Sequence, residues 1–183
     1  KPFTVDVLAQ RIARAVDRRA ALLPVHQALE RGRMREAILA SEVSAASNPR
    51  YATECARLRA EAHIALGEVL QAEAIFRDIL EIRPLGWAQL GLARCQFQQQ
   101  LFAEALETLQ GLIDDNPKFM AAYDLMAHTQ QALGQPAEAR AALEAAVQIS
   151  PHTVRRLRHL GQIALEAGDT EAAEKAFRQV AAK

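Results

Sequence analysis

The side chains of this chain best equipped for chemistry are arginines. Arg94, Arg155 and Arg158 each carry a planar guanidinium that can grip a carboxylate through two parallel hydrogen bonds. Trp87 and Phe97 add large apolar surfaces of the kind that anchor a partner. This is chemistry of recognition; residues for catalysis do not assemble the same way. The five histidines, His26, His63, His128, His152 and His159, share no metal-ligand spacing with cysteines or carboxylates. His152 and His159 stand seven apart with no third ligand. No serine sits in a G-x-S-x-G elbow, and no glycine-rich phosphate loop is present. Asp114 and Asp115 precede Asn116-Pro117 and read as solvated residues of a helix end. Cys55 and Cys95 are isolated thiols inside helical patterns, small buried hydrophobes of a reducing cytosol. The expectation is a cytoplasmic chain that is no enzyme, with no catalytic residue, no cofactor and no metal.

Composition narrows the partners. The 183 residues hold 22 basic and 22 acidic side chains, so the net charge is zero. That balance argues against nucleic acid or an anionic membrane as the main partner. Half the residues are apolar and only 5% are aromatic, a helical composition well short of disorder. No apolar run approaches the ~20 residues that span a bilayer, and no basic start followed by an apolar core reads as a signal peptide.

The elements that must position the arginines follow from a repeat. Gly32, Gly67, Gln100, Gly134 and Gly168 recur at steps of 35, 33, 34 and 34 residues. Ala37, Ala72, Ala105, Ala139 and Ala173 follow five residues behind each. Pro49, Pro84, Pro117 and Pro151 close the first four units. Each unit reads as two helices. In the unit around Gly134, Tyr123, Met126 and Ala127 share one helical face. Pro136 then suits the first position of a second helix whose inward face carries Ala139, Leu143 and Ala146. Leu160, Gly161, Ala173, Phe177 and Val180 repeat the pattern, with Asp169 or Thr170 as N-cap. Ala60, Ala72, Phe76 and Ile79 do so earlier. Units of this size bury their apolar faces only by stacking on neighbours, which predicts a solenoid.

At these residues the chain resembles a tetratricopeptide repeat array, whose pattern is W-x2-L-G-x2-Y, then A-x3-F, then P. Leu160-Gly161, Ala173 and Phe177 match in place, as do Ala72, Phe76 and Pro84, and Ala139, Leu143 and Pro151. The resemblance spans roughly residues 20–183. It implies an all-α, right-handed superhelical solenoid of about five helix-turn-helix repeats. One unit departs. In residues 86–117, Trp87, Leu90 and Gly91 keep the motif's spacing but fall two residues early relative to Ala105, and Gln100 replaces the glycine. A shifted or lengthened first helix is expected there. The first unit, with Ser41 and Ser44 at inward positions, is the most divergent.

Residues 1–20 do not fit the repeat and form a separate expected segment beside a solenoid over 21–183. Val5, Leu8, Ile12 and Val16 lie on one helical stripe, with Arg11, Arg14, Arg18 and Arg19 largely off it. Lys1-Pro2-Phe3 followed by such a helix resembles the end of a response-regulator receiver domain. There the lysine contacts the phosphoryl group and the last helix packs back on the sheet. The resemblance implies that sheet and phosphoacceptor lie upstream of residue 1. The helical pattern runs on through Arg18, Ala21 and Leu22 to Leu29, so Pro24 is expected to kink the helix rather than end it. The exposed stripe is expected either to drive self-association through residues 3–20 or to dock back near Leu22 and Leu29.

In stacked hairpins the first helices line the concave face. The candidate contacts on it are Glu54, Arg57 and Glu61; Trp87, Leu90, Arg94 and Phe97; Asp124, His128 and Gln131; and Arg155, Arg158 and Gln162. Some family members clamp a C-terminal carboxylate there with lysines and asparagines. Glu61 stands where such an asparagine would be, which argues against that clamp. The expected function is a non-catalytic protein-protein interaction module, the output part of a two-component response regulator in a phosphorelay. The alternative is a constitutive scaffold or assembly factor with no phosphorelay link.

Overall fold

The computed structural model describes residues 4–151 and 153–182. Lys1, Pro2, Phe3, His152 and Lys183 lie outside the described residues, and with them the tripeptide of the receiver resemblance. Among the described residues the chain is helical throughout, with ten α-helices, one 3₁₀ turn and no strand. The helices pair into five hairpins in sequence order: α1 (Val5–Glu30) with α2 (Met34–Ser47), α3 (Ala52–Ala65) with α4 (Val69–Ile82), α5 (Gly86–Gln98) with α6 (Phe102–Asp115), α7 (Met120–Ala132) with α8 (Pro136–Ile149), and α9 (Val154–Glu166) with α10 (Thr170–Ala181). None of the helices is long and apolar enough to cross a membrane.

One local device closes every hairpin. The amide of the third residue past the helix reaches the carbonyl five residues back: Arg33 to Ala28, Glu68 to His63, Leu101 to Gln96, Gln135 to Gln130, and Asp169 to Ala164, all at 2.8–2.9 Å. This closure needs a left-handed residue just before it. Gly32, Gly67, Gly134 and Gly168 supply it at φ between 70° and 78°, and Gln100 adopts φ 62° in the same place. The repeating glycine is therefore a turn requirement, and Gln100 meets it with strain that glycine lacks.

The shift expected in residues 86–117 is absent. α5 has 13 residues, the same as α7 and α9. The inward small position is held in turn by Ala60, Ala93, Ala127 and Gly161, at steps of 33, 34 and 34. The three alanines are 0% exposed and Gly161 is buried. Ala93, not Gly91, is thus the close-contact residue of α5, and the Trp-Leu-Gly spacing is coincidental. At Gly161 the reason for a small residue is direct. A Cβ there would lie 2.7 Å from the ring of Phe177.

The chain divides into two compact units, Lys1–Arg83 and Pro84–Lys183. In the first, Leu22, Val25 and Ala28 of α1 are buried against α2 and α3, and Val25, Ala28, Ala37, Ile38 and Ala62 form one apolar cluster. Ser41 sits inside because its hydroxyl donates to the Ile38 carbonyl at 2.7 Å, which offsets its burial. α1 runs unbroken through Pro24 to Glu30. Residues 4–20 are exposed along their whole length, and the stripe is open at Val5 (84%), Leu8 (52%), Ile12 (55%) and Val16 (60%). The stripe therefore does not dock back on the first repeat. In the second unit Tyr123, Met126, Ala139 and Leu143 belong to one core cluster, on the faces expected from their spacing, together with Leu109 and Leu112 of α6. Asp169, rather than Thr170, caps α10 and accepts from the Ala172 amide at 3.0 Å.

Candidate functional site

The first helices of the second unit, α5, α7 and α9, carry the candidate contacts at equivalent repeat positions. Trp87 and Arg155 correspond, as do Leu90, Asp124 and Arg158; Arg94, His128 and Gln162; and Phe97 and Gln131. The structure gathers only part of this set. Asp124, His128, Arg155, Arg158 and Gln162 line one recess of about 380 Å³ between α7 and α9, joined by Arg156 and His159. Gln131 supports it from behind. Trp87, Leu90, Arg94 and Phe97 are not among its lining. Leu90 packs against the core cluster, and Phe97 is half-buried with its ring against Phe102 at 5.5 Å. Trp87 is half-buried, while Arg94 is exposed.

Arg156, absent from the expected contacts, organises the floor. It occupies the repeat position of Ala88 and Ala122, both 0% exposed, and is itself 5% exposed. A charge that deep must be paired. Its Nε and Nη2 donate to the two carboxylate oxygens of Asp124 at 2.7 and 3.0 Å, and Nη1 donates to the Thr153 hydroxyl at 3.3 Å. Asp124 is therefore the counter-ion of Arg156 before it is a contact for any partner. An arginine where the two preceding repeats place alanine was the signal in the sequence.

His159 is the second residue that spacing did not single out. Its ring stacks on His128 with centroids 4.4 Å apart and 24° between planes. Its Nε2–H donates to the Gln131 side-chain oxygen at 2.7 Å. The Gln131 amide donates to Glu166 at 3.3 Å, and Gln162 donates to the other Glu166 oxygen at 3.1 Å. This relay fixes the His159 tautomer and leaves Nδ1 as the nitrogen able to take a proton. Burial, then the neighbouring His128, pushes the His159 imidazole below its ordinary range, against smaller upward pulls from Asp124 and Glu166.

Above this floor stand Arg155 and Arg158, both exposed and without an ion pair among the described residues. They sit near the N-terminus of α9, where a cation opposes the helix dipole. Their placement does nothing for the helix and adds positive potential at the recess.

The candidate contacts of the first unit are differently disposed. Glu54 is half-buried and held by Arg18 of α1, whose Nε donates to it at 2.8 Å. That ion pair holds the Glu54 carboxyl below the usual carboxylate range. Arg57 donates to Glu61 at 2.9 Å one turn along α3. Among the described residues no three metal-ligating side chains gather at one point.

A tetratricopeptide repeat model matches residues 86–128 and 131–183, just over half of the chain. The chain belongs to the tetratricopeptide repeat family. Solved structures of tetratricopeptide proteins share the fold across nearly its whole length. MamA from Desulfovibrio magneticus is 21% identical, with a TM-score of 0.72 over 88% of this chain and 92% of that one. TTC0263, a thermophilic tetratricopeptide repeat protein of Thermus thermophilus, is 18% identical, with a TM-score of 0.70 over 88% and 89%. A putative kinesin light chain from Podospora anserina with nearly identical repeats is 21% identical, with a TM-score of 0.72 over 90% and 92%. Curated protein sequences give no match. Tetratricopeptide repeats are protein-interaction modules, generally without catalysis of their own, and no catalytic family is indicated.

Proposed function

We propose that this repeat array binds a partner protein through the face shared by α5, α7 and α9. The observation that carries this reading is the pair Arg155 and Arg158. Two exposed guanidiniums without a counter-ion among the described residues stand over a recess whose floor is already neutralised by Asp124 and Arg156. Trp87, Leu90, Arg94 and Phe97 extend the same face along α5, and Asp124, His128, Gln131 and Gln162 complete it. Glu54, Arg57 and Glu61 mark the equivalent positions in the first unit. Replacing Arg155→Glu together with Arg158→Glu is expected to weaken capture of the native partner roughly tenfold or more while leaving the melting temperature nearly unchanged. Unchanged affinity would move the site off this face.

The finer role is read from α1. Its exposed residues 4–20 have the length and apolar stripe of a receiver's closing helix, and the same helix continues into the first repeat without a break. We read the chain as the cytoplasmic output module of a two-component regulator, divided at residue 20. α1 would then transmit the state of a receiver stiffly to the array. The same continuity supports a constitutive scaffold, in which α1 is simply a long first helix of the solenoid. The coding sequence upstream of Lys1 separates the two. A receiver sheet whose last strand closes at that lysine supports the regulator, and any other upstream sequence supports the scaffold.

A further inference from the structure

We propose that the recess between α7 and α9 is a carboxylate subsite for an acidic segment of the partner, and that filling it loads a proton onto Nδ1 of His159. The proposal rests on the interaction-face reading above and names the chemistry of that face. Its basis is geometric. Arg155 and Arg158 offer donors with no acceptor among the described residues, and Arg156 lies beneath them, held in place by Asp124. A carboxylate entering the recess meets two exposed guanidiniums and a buried, ion-paired third, an arrangement that planar forks favour over a point charge.

The imidazoles make the site sensitive to protons. His159 and His128 are stacked at 4.4 Å, so charge on both rings would be mutually repulsive. Arg155 and Arg156 stand nearby as well, and burial and then His128 push the His159 imidazole below its ordinary range. An arriving carboxylate reverses the local balance and favours the protonated ring. The groups facing the pair are Asp124 on α7, and Arg155, Arg156, Arg158 and Glu166 on α9. α5, α6, α8 and α10 pack against these two helices but place no charged side chain in the recess lining among the described residues. Nε2 is committed to Gln131, so the incoming proton has one address, Nδ1.

Linkage then fixes the sign. Proton uptake on binding makes affinity rise as pH falls, at most tenfold per pH unit for one proton. The glutamates of a ligand stay ionised across the histidine range, so the dependence reports the protein.

The test is a titration of the full chain with acetyl-tetraglutamate amide, followed by the imidazole carbon-bound proton signals in NMR. Acetyl-tetraglutamine amide and inorganic phosphate serve as comparison ligands. The expected result is a higher titration midpoint for His159 in the glutamate complex, with binding roughly threefold to tenfold tighter at pH 5.5 than at pH 7.5. Arg155→Gln with Arg158→Gln is expected to abolish the shift. His159→Gln, which keeps a hydrogen-bonding side chain opposite Gln131, is expected to bind the glutamate peptide equally at pH 5.5 and pH 7.5. Equal binding of the glutamine peptide, an unmoved His159 midpoint, or phosphate acting as well as the glutamate peptide would overturn the proposal. If His159 stays unmoved while the native partner still protects α7 and α9 from hydrogen exchange, the carboxylate subsite is wrong and the interaction face stands. If the partner protects neither helix, both fall.

Discussion

Gln100 shows how much a single backbone position can hold. It sits at φ 62° in a turn that the other four hairpins build with glycine. A left-handed non-glycine residue costs about 1–2 kcal/mol, against about 1 kcal/mol or less of unfolded-state entropy that glycine adds. Gln100→Gly is therefore expected to stabilise the chain by about 0.5–1 kcal/mol in urea titration. A loss of stability would mean the Gln100 side chain makes a compensating contact. Asp124 gives the opposite sign. Removing its charge leaves Arg156 buried without its counter-ion and with one of its three acceptors turned into an amide donor. Because Asp124 is one-third exposed, water softens the penalty, and Asp124→Asn is expected to cost about 1–3 kcal/mol. A change indistinguishable from zero would show that Arg156 swings out to solvent.

At the scale of elements, two helices carry the sharpest expectations. On α8, Ala139 is 0% exposed and belongs to the second unit's core, while Glu138 beside it is exposed. Ala139→Leu is expected to destabilise by about 1–3 kcal/mol through overpacking. Glu138→Gln should stay within about 0.5 kcal/mol. Equal effects would place the repeat register wrongly. On α1, four aliphatic side chains line an open stripe, and covering each is worth about 1.5–3 kcal/mol. Residues 1–183 on their own are expected to self-associate through α1, with sedimentation showing a dimer. Leu8→Glu with Ile12→Glu should return a monomer of unchanged helix content. A wild-type monomer would rule out the stripe as a self-association surface.

Across the whole molecule, stability should respond to acid in two separate windows. His159 has a folded-state value below its ordinary 6.5. The unfolded chain therefore binds the proton first, and stability declines once the pH drops below the ordinary histidine range. The carboxylates act lower. Glu54 is held down by the hydrogen bond from Arg18, Glu68 by His63 and then Arg35, and Asp169 by the Ala172 amide and then Arg140. Depressed carboxylates stabilise above their unfolded values, 4.5 for the glutamates and 3.8 for Asp169, and lose that contribution as the pH falls beneath them. Melting temperatures should thus fall in two steps on acidification. His159→Gln should remove the upper step alone, and an upper step that survives it would assign that step to another histidine.

The repeat was legible in the chain itself because its signals are local. A left-handed turn asks for glycine, a close helix contact asks for alanine, and both recur at a fixed interval whatever lies far away in sequence. That sufficed for five hairpins, for the faces of α7 and α8, and for an α1 that runs through Pro24. It failed where one motif occurred by chance: Trp87, Leu90 and Gly91 have the family's spacing, yet Ala93 makes the contact, because packing selects by position on the stack rather than by resemblance. The proposed binding face was legible in part. Arg155, Arg158, Asp124, His128 and Gln162 could be placed on one side of their helices from periodicity alone. Only the tertiary structure decided that Asp124 belongs to Arg156, that Glu54 belongs to Arg18, and that His128 and His159 meet ring to ring. Each of those pairings joins residues about thirty positions apart, where neighbouring repeats touch, and no periodic rule within one helix can say which side chain lies across the gap.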